Sequence, residues 1–277
     1  MIDDLTKAFS PSFWANGESN NEDDRAEVMR GFYEGTSKAH KDVSENESIA
    51  RTINMRYGLK DRQYFDVWGD VDDRMVIFFH GGYWMEGDRK DCLTPYKAAL
   101  DAGFAFATLS YRYVGRKYNF EDCISDAVKG VRCLLRKYPG VSKFIIGGHS
   151  AGALLAYQAV VYVRDPRIKG LLSVGGVYFL QELSQTEIGD DLDLSKDDAV
   201  KYECDVSRLN GLNIKTQFIY GLLEAPKLIE QNRLFKMARP EVLVEEIPTD
   251  SHYTVMTNML DNTTPAYQAV HRYLKLF

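Results

Sequence analysis

Lys143-Phe-Ile-Ile-Gly-Gly-His-Ser-Ala-Gly-Ala-Leu-Leu-Ala-Tyr157 is an apolar run that meets a serine and then passes into helical spacing. It reads as strand, sharp turn and helix, with Ser150 at the apex. A serine held on such a turn has strained backbone angles, so the residues two before and two after it, Gly148 and Gly152, must be small. The strain lifts the hydroxyl clear of the sheet edge, where a base can reach it. At background glycine and serine frequencies of roughly 7 % each, Gly-x-Ser-x-Gly arises by chance in about one chain in ten of this length, so its flanks must carry the reading. They do: residues 143–147 have the continuous apolar character of a central parallel strand, and residues 151–163 read as a buried helix.

Outward from this stretch, strands and helices alternate. Residues 63–68 alternate polar and apolar like a half-exposed strand, and Gly69-Asp-Val-Asp-Asp73 turns the chain into the apolar strand 75–79. These two are expected to form an edge hairpin leading into the sheet centre. Helix 88–102, strand 104–109, helix 120–138, strand 144–147, helix 151–163 and strand 168–174 follow. After a break come strand 216–220, helix 226–238, strand 242–247 and a closing helix over about 265–276. Such alternation implies an α/β protein with a mostly parallel central sheet and helices on both faces. The break, residues 178–213, carries the acidic run Gly189-Asp-Asp-Leu-Asp-Leu-Ser-Lys-Asp-Asp198 and reads as a small cap-like insertion above the carboxyl ends of the strands. Residues 1–60 are polar apart from Phe9, Phe13 and Trp14, with helical spacing over about 22–43, and are expected to pack on the main body as an amino-terminal extension. The aromatic turn Ser10-Pro-Ser-Phe-Trp14 is too apolar for a free tail and should be pinned down. With no composition break, the whole chain 1–277 reads as a single domain.

The 277 residues carry a net charge of −6, with basic residues scattered rather than bunched. That argues against nucleic acid or an anionic membrane as partner and favours a small ligand. Cys92, Cys123, Cys133 and Cys204 have neither metal-ligand nor disulfide-framework spacing, so free thiols in a reducing compartment are expected. The polar, acidic start resembles neither a secretory signal nor a transit peptide, and no apolar stretch reaches membrane-spanning length. A soluble cytoplasmic protein is the expectation, with a homodimer compatible with everything above.

A serine hydroxyl needs a base to take its proton and a carboxylate to orient that base. Of the five histidines, His40 falls in the amino-terminal helix, His271 in the last helix, and His149 reads as pointing away from the elbow. His252 follows the apolar strand 242–247 through the polar loop Pro248-Thr-Asp-Ser251, at the sheet's carboxyl edge, and is the candidate base. The acid should follow the preceding strand: Glu224, in Gly-Leu-Leu-Glu-Ala-Pro226, is the candidate, with Asp250 as its competitor two residues before the histidine. The order Ser150, Glu224, His252 is that of the α/β-hydrolase fold. His80-Gly-Gly-Tyr-Trp84, directly after strand 75–79, supplies glycines whose amides can turn inward, so Gly81, Gly82 and Ala151 are the expected oxyanion donors and His80 an orienter of the loop.

His-Gly-Gly-Tyr-Trp84, Gly148-His-Ser-Ala-Gly-Ala153, Arg62-Gln-x-x-Asp-Val-Trp68 and Ser10-Pro-Ser-x-Trp14 together resemble the arylformamidase (kynurenine formamidase) family, from about Phe9 to the last helix. The resemblance implies a serine hydrolase that cleaves N-formyl-L-kynurenine to L-kynurenine and formate in the kynurenine pathway of tryptophan catabolism, with no cofactor and no metal. It departs at the acid, where the family usually has Phe-Asp-Ser-Pro and this chain has Leu223-Glu-Ala-Pro226. For a small aromatic formamide substrate, Tyr83 and Trp84 are expected to close the acyl side, and Trp84, Tyr178 and Phe179 to stack on the leaving amine. A general short-chain carboxylesterase and a non-catalytic ligand-binding protein of the same fold remain the alternatives.

Overall fold

The computed structural model describes residues 2–15 and 22–277. Ten helices and eight strands are described in chain order: α1 Asp4–Phe9, α2 Glu22–Glu45, β1 Arg51–Arg56, β2 Tyr64–Trp68, β3 Arg74–Phe79, α3 Tyr96–Asp101, β4 Ala105–Leu109, α4 Phe120–Lys137, β5 Lys143–His149, α5 Ala151–Val163, β6 Ile168–Val174, α6 Glu187–Asp191, α7 Lys196–Tyr202, β7 Lys215–Leu223, α8 Pro226–Ala238, β8 Leu243–Ser251, α9 Thr254–Thr257 and α10 Pro265–Leu274. The strands form one sheet in the order β1-β2-β4-β3-β5-β6-β7-β8. Only β1–β2 and β2–β4 pair antiparallel; every other pairing is parallel.

Two apolar layers enclose the sheet. Leu134 of α4, Leu154 of α5 and Leu228 of α8 pack on one face, and Val43 of α2, Ala98 of α3 and Val270 of α10 on the other. That is why β3, β4 and β5 read as unbroken hydrophobic runs, both of their faces being covered. In parallel register, Phe79 of β3 lies beside Gly148 of β5, so the loop after β3 and the turn after β5 emerge together.

Three expectations need correction. Residues 63–68 and 75–79 do not form a hairpin, because β4 lies between β2 and β3. Residues 51–56, taken as polar extension, form edge strand β1, whose mostly exposed residues give no apolar alternation to read. The helix expected over 88–102 is interrupted at Pro95, leaving a 3₁₀ turn, Arg89–Cys92, before α3.

The amino-terminal segment is anchored. Phe9 is fully buried, the Trp14 indole donates to the Lys7 carbonyl at 2.9 Å, and the Arg25 guanidinium lies 3.7 Å over the Phe13 ring. Residues 178–213 hold α6 and α7 and pack beside α1, where the Glu187 amide donates to Thr6 Oγ1 at 3.0 Å. No helix among the described residues is long and apolar enough to cross a membrane.

Candidate active site

Ser150 sits between β5 and α5 with φ 54° and ψ −124°, a strained conformation for a residue bearing a side chain. The turn needs small neighbours: a Cβ on Gly152 would stand against the carbonyls of Phe79 and His80. As the first residue of α5, Ala151 has an amide with no acceptor inside the helix, pointed where the helix dipole is positive. The loop after β3 folds directly over the serine, since a Cβ on Gly81 would lie 2.9 Å from Ser150 Cβ. The amides of Gly81 and Gly82 meet no acceptor among the described residues.

His252 follows β8 immediately, for β8 runs on to Ser251 and the polar loop expected before the histidine is strand. Its Nδ1 lies 2.5 Å from Glu224 Oε2. Donation from Nδ1 fixes the tautomer and leaves Nε2 as the basic nitrogen. Both side chains are buried, and Glu224 Oε1 accepts from the Ala225 amide at 2.7 Å, fixing the carboxylate at the mouth of α8. Asp250 turns elsewhere, taking a 2.8 Å bond from Asn258. Gly175, just beyond β6, backs the pair. It has φ +52°, and a Cβ there would lie 3.1 Å from His252 Nδ1 and 3.2 Å from Glu224 Oε2.

Ser150, His252, Gly81, Gly82 and Tyr83 share one cavity of about 70 Å³. Its remaining walls were not evident from sequence: Pro11, then Met29, Phe32 and Tyr33 of α2, with Glu86, Asp91, His149 and Tyr253. The amino-terminal segment, rather than the insertion, therefore roofs the serine. Tyr83 reaches up to this roof, its hydroxyl donating to the Phe9 carbonyl at 2.5 Å.

The other three aromatics expected on the cavity wall lie elsewhere. Trp84 is fully buried, packs on Phe120 at 4.7 Å and donates its indole N–H to the Ala151 carbonyl at 3.0 Å, so it braces the elbow from below. Tyr178 is buried against Phe218 and bonds Ser173 and Asn232, while Phe179 packs toward Phe235. Trp84 and Tyr178 belong to the core, because a large ring gains most by leaving water on every side, and Phe179 packs partly buried against it.

His149 also departs from expectation. It lines the cavity, its ring centroid 4.5 Å from that of His252 and its Nε2 3.0 Å from the His252 carbonyl. Burial holds its pKa well below the usual histidine range, with the neighbouring His252 adding to the effect. His80 is stacked on Tyr111 at 4.1 Å, with Nδ1 2.8 Å from the Gly81 carbonyl, and burial lowers its pKa to about 4. Arg62 supports the same loop from outside by donating to the carbonyls of Tyr111 and Gly87 at 3.0 and 2.6 Å. Among the described residues no group of three or more His, Cys, Asp or Glu is arranged to hold a metal ion.

This sheet, with a strained serine after its fifth strand, defines an α/β-hydrolase. Comparison of folds agrees: a solved putative thioesterase from Silicibacter sp. TM1040 superposes with TM-score 0.79 at 19 % identity, covering 96 % of this chain and 98 % of its own. An esterase from Pyrobaculum calidifontis does so with TM-score 0.69 at 17 % identity over 91 % and 93 %. The family described as BD-FAE matches residues 66–176. Within that class, the chain is similar over nearly its whole length to kynurenine formamidases: those of Salmo salar and Danio rerio are each 24 % identical to it, over 94 % of this chain and 92 % of theirs.

Proposed function

We propose that this protein is a serine hydrolase that cleaves N-formyl-L-kynurenine to L-kynurenine and formate. The observation that carries the reading is the 2.5 Å His252–Glu224 pair, whose histidine lines the small cavity together with Ser150 and the Gly81 loop. The whole-length similarity to kynurenine formamidases directs it to this substrate.

In the reaction, His252 Nε2 takes the Ser150 proton as Oγ attacks the formyl carbon. The amides of Gly81, Gly82 and Ala151 hold the oxyanion, each contributing about 3 kcal/mol to transition-state stability. Collapse breaks the C–N bond, His252 gives its proton to the departing aromatic amine, and Ser150 keeps the formyl group as an ester. Water, deprotonated by the same imidazole, then releases formate and restores the hydroxyl. Glu224 orients the imidazole and stabilises the imidazolium each time it forms. The formyl group lies at the Ser150 end of the cavity, and the aromatic amine extends along it toward Phe32, Tyr33 and Tyr253.

The test is product analysis with N-formyl-L-kynurenine. Equimolar formate and L-kynurenine are expected from the native protein and none from Ser150→Ala, whose circular dichroism should be unchanged. Preference for p-nitrophenyl acetate over aromatic formamides by a wide margin in kcat/KM would transfer the assignment to a short-chain carboxylesterase.

A further inference from the structure

We propose that the cavity around Ser150 carries a subsite for a cationic ammonium group, with Glu86 and Asp91 as its anionic partners, so that the preferred substrates are aromatic formamides bearing an aliphatic primary amine. This rests on the formamidase reading and goes further by naming which end of the substrate is recognised.

The wall offers acceptors and no cation. Glu86 and Asp91 both line the cavity, and neither carboxylate is in an ion pair among the described residues, Asp91 being met only by the backbone of Asp88. Asp91 is only partly exposed, and burial together with the nearby charges of Asp88 and Glu86 raises its pKa. Arg62 is spent on Gly87, Tyr111 and Asp88. Glu86 keeps contact with water while Asp91 is partly withdrawn from it without a counter-charge, so the pair favours a cation between them.

A second, independent feature points the same way. His80 and His149 are 1 % and 4 % exposed and both line the cavity. Each uses one ring nitrogen on a carbonyl, Nδ1 on Gly81 and Nε2 on His252, so those nitrogens carry the protons. His80 Nε2 and His149 Nδ1 are left as lone pairs with no partner among the described residues. No Lys or Arg lines the cavity, and residues 16–21, Asn-Gly-Glu-Ser-Asn-Asn, contain none. A substrate carboxylate entering here would meet like charge and lone pairs; an ammonium would meet partners for all three of its donors. The faces of Phe32, Tyr33 and Tyr253 add cation–π attraction.

The experiment compares N-formyl-L-kynurenine with its decarboxylated analogue, which keeps the ammonium, and its deaminated analogue, which keeps only the carboxylate. The decarboxylated compound should be at least as good a substrate as the amino acid, and the deaminated one worse by roughly 30-fold in kcat/KM, mostly through KM. In the Glu86→Gln, Asp91→Asn double variant the ratio between the two analogues should fall to about threefold or less. Equal turnover of both analogues by the native protein, or an unchanged ratio in the variant, overturns the subsite. If no formamide is cleaved, formanilide included, the formamidase reading fails instead. Calorimetric binding of the two deformylated analogues to Ser150→Ala then decides the subsite alone: tighter binding of the amine supports it, and equal affinities overturn it.

Discussion

A glutamate at position 224 reaches one methylene further than an aspartate, and the backbone uses that reach. Oε2 meets His252 Nδ1 at 2.5 Å while Oε1 is held by the Ala225 amide. Glu224→Gln cannot fix the same tautomer and should lower kcat by about 10⁴. Asp250→Asn should lower it less than about tenfold, because that carboxylate serves Asn258 rather than the imidazole. Steady-state kinetics on the pair of variants separates the two assignments, and a crippled Asp250→Asn beside a nearly silent Glu224→Gln would reverse them. Gly175 is the less obvious residue. Alanine there would bear a positive φ and set a methyl 3.1 Å from Nδ1 and 3.2 Å from Oε2. We expect Gly175→Ala to cost about 1–3 kcal/mol in unfolding free energy from backbone strain and to reduce kcat by about 10²-fold, since a small misplacement of the base weakens every proton transfer it makes.

At the scale of elements, the loop after β3 is held on three sides: Tyr83 to the Phe9 carbonyl, Trp84 to the first carbonyl of α5, and Tyr111 to the His80 carbonyl at 2.9 Å. Tyr83→Phe cuts only the tie to the amino-terminal roof. It should cost about 1 kcal/mol in denaturant unfolding and raise KM several-fold with a smaller fall in kcat, because the roof contributes Pro11, Met29, Phe32 and Tyr33 to the cavity and no catalytic group. A kcat loss exceeding the change in KM would mean that the tie holds the oxyanion amides rather than the roof. These ties also explain what the sequence could disclose. β3, β5 and α5 were legible because burial on all sides writes itself as an uninterrupted apolar run, and the elbow because its glycines are forced by backbone contact. Edge strand β1 was not, since exposed residues need no pattern. The supposed hairpin failed because the short turn between β2 and β3 says nothing about a later strand, β4, inserting between them. Trp84, Tyr178 and Phe179 stand near loop ends, yet ring size draws the first two into the core and the third partly against it. Phe32 and Tyr33 reach the serine from α2, a juxtaposition that exists only once the chain is folded.

For the molecule as a whole, a cavity walled by two neutral, buried imidazoles makes stability depend on pH. His80 is lowered to about 4 and His149 well below the usual range, in both cases chiefly by burial. An unfolded chain binds protons on both near pH 6.5. Above that value neither state is protonated, and the full stability is present. As pH falls from 6.5 toward 4, the unfolded chain takes up protons that the native state refuses, so stability is lost at up to about 1.4 kcal/mol per pH unit for each imidazole kept neutral. Asp91 and Asp250 work in the opposite sense, since burial raises their pKa and lets the native state bind a proton before the unfolded chain does, but they are two groups against three, because burial lowers His40 as well. His149→Gln isolates the effect, because the amide can still donate to the His252 carbonyl while nothing at that position titrates. Its unfolding free energy, followed by urea titration between pH 4.5 and 7 in the same buffer, should decline less steeply toward acid than that of the native protein. Identical slopes would mean that His149 is protonated in the folded state, and then the cavity beside Ser150 would hold a positive charge rather than a lone pair.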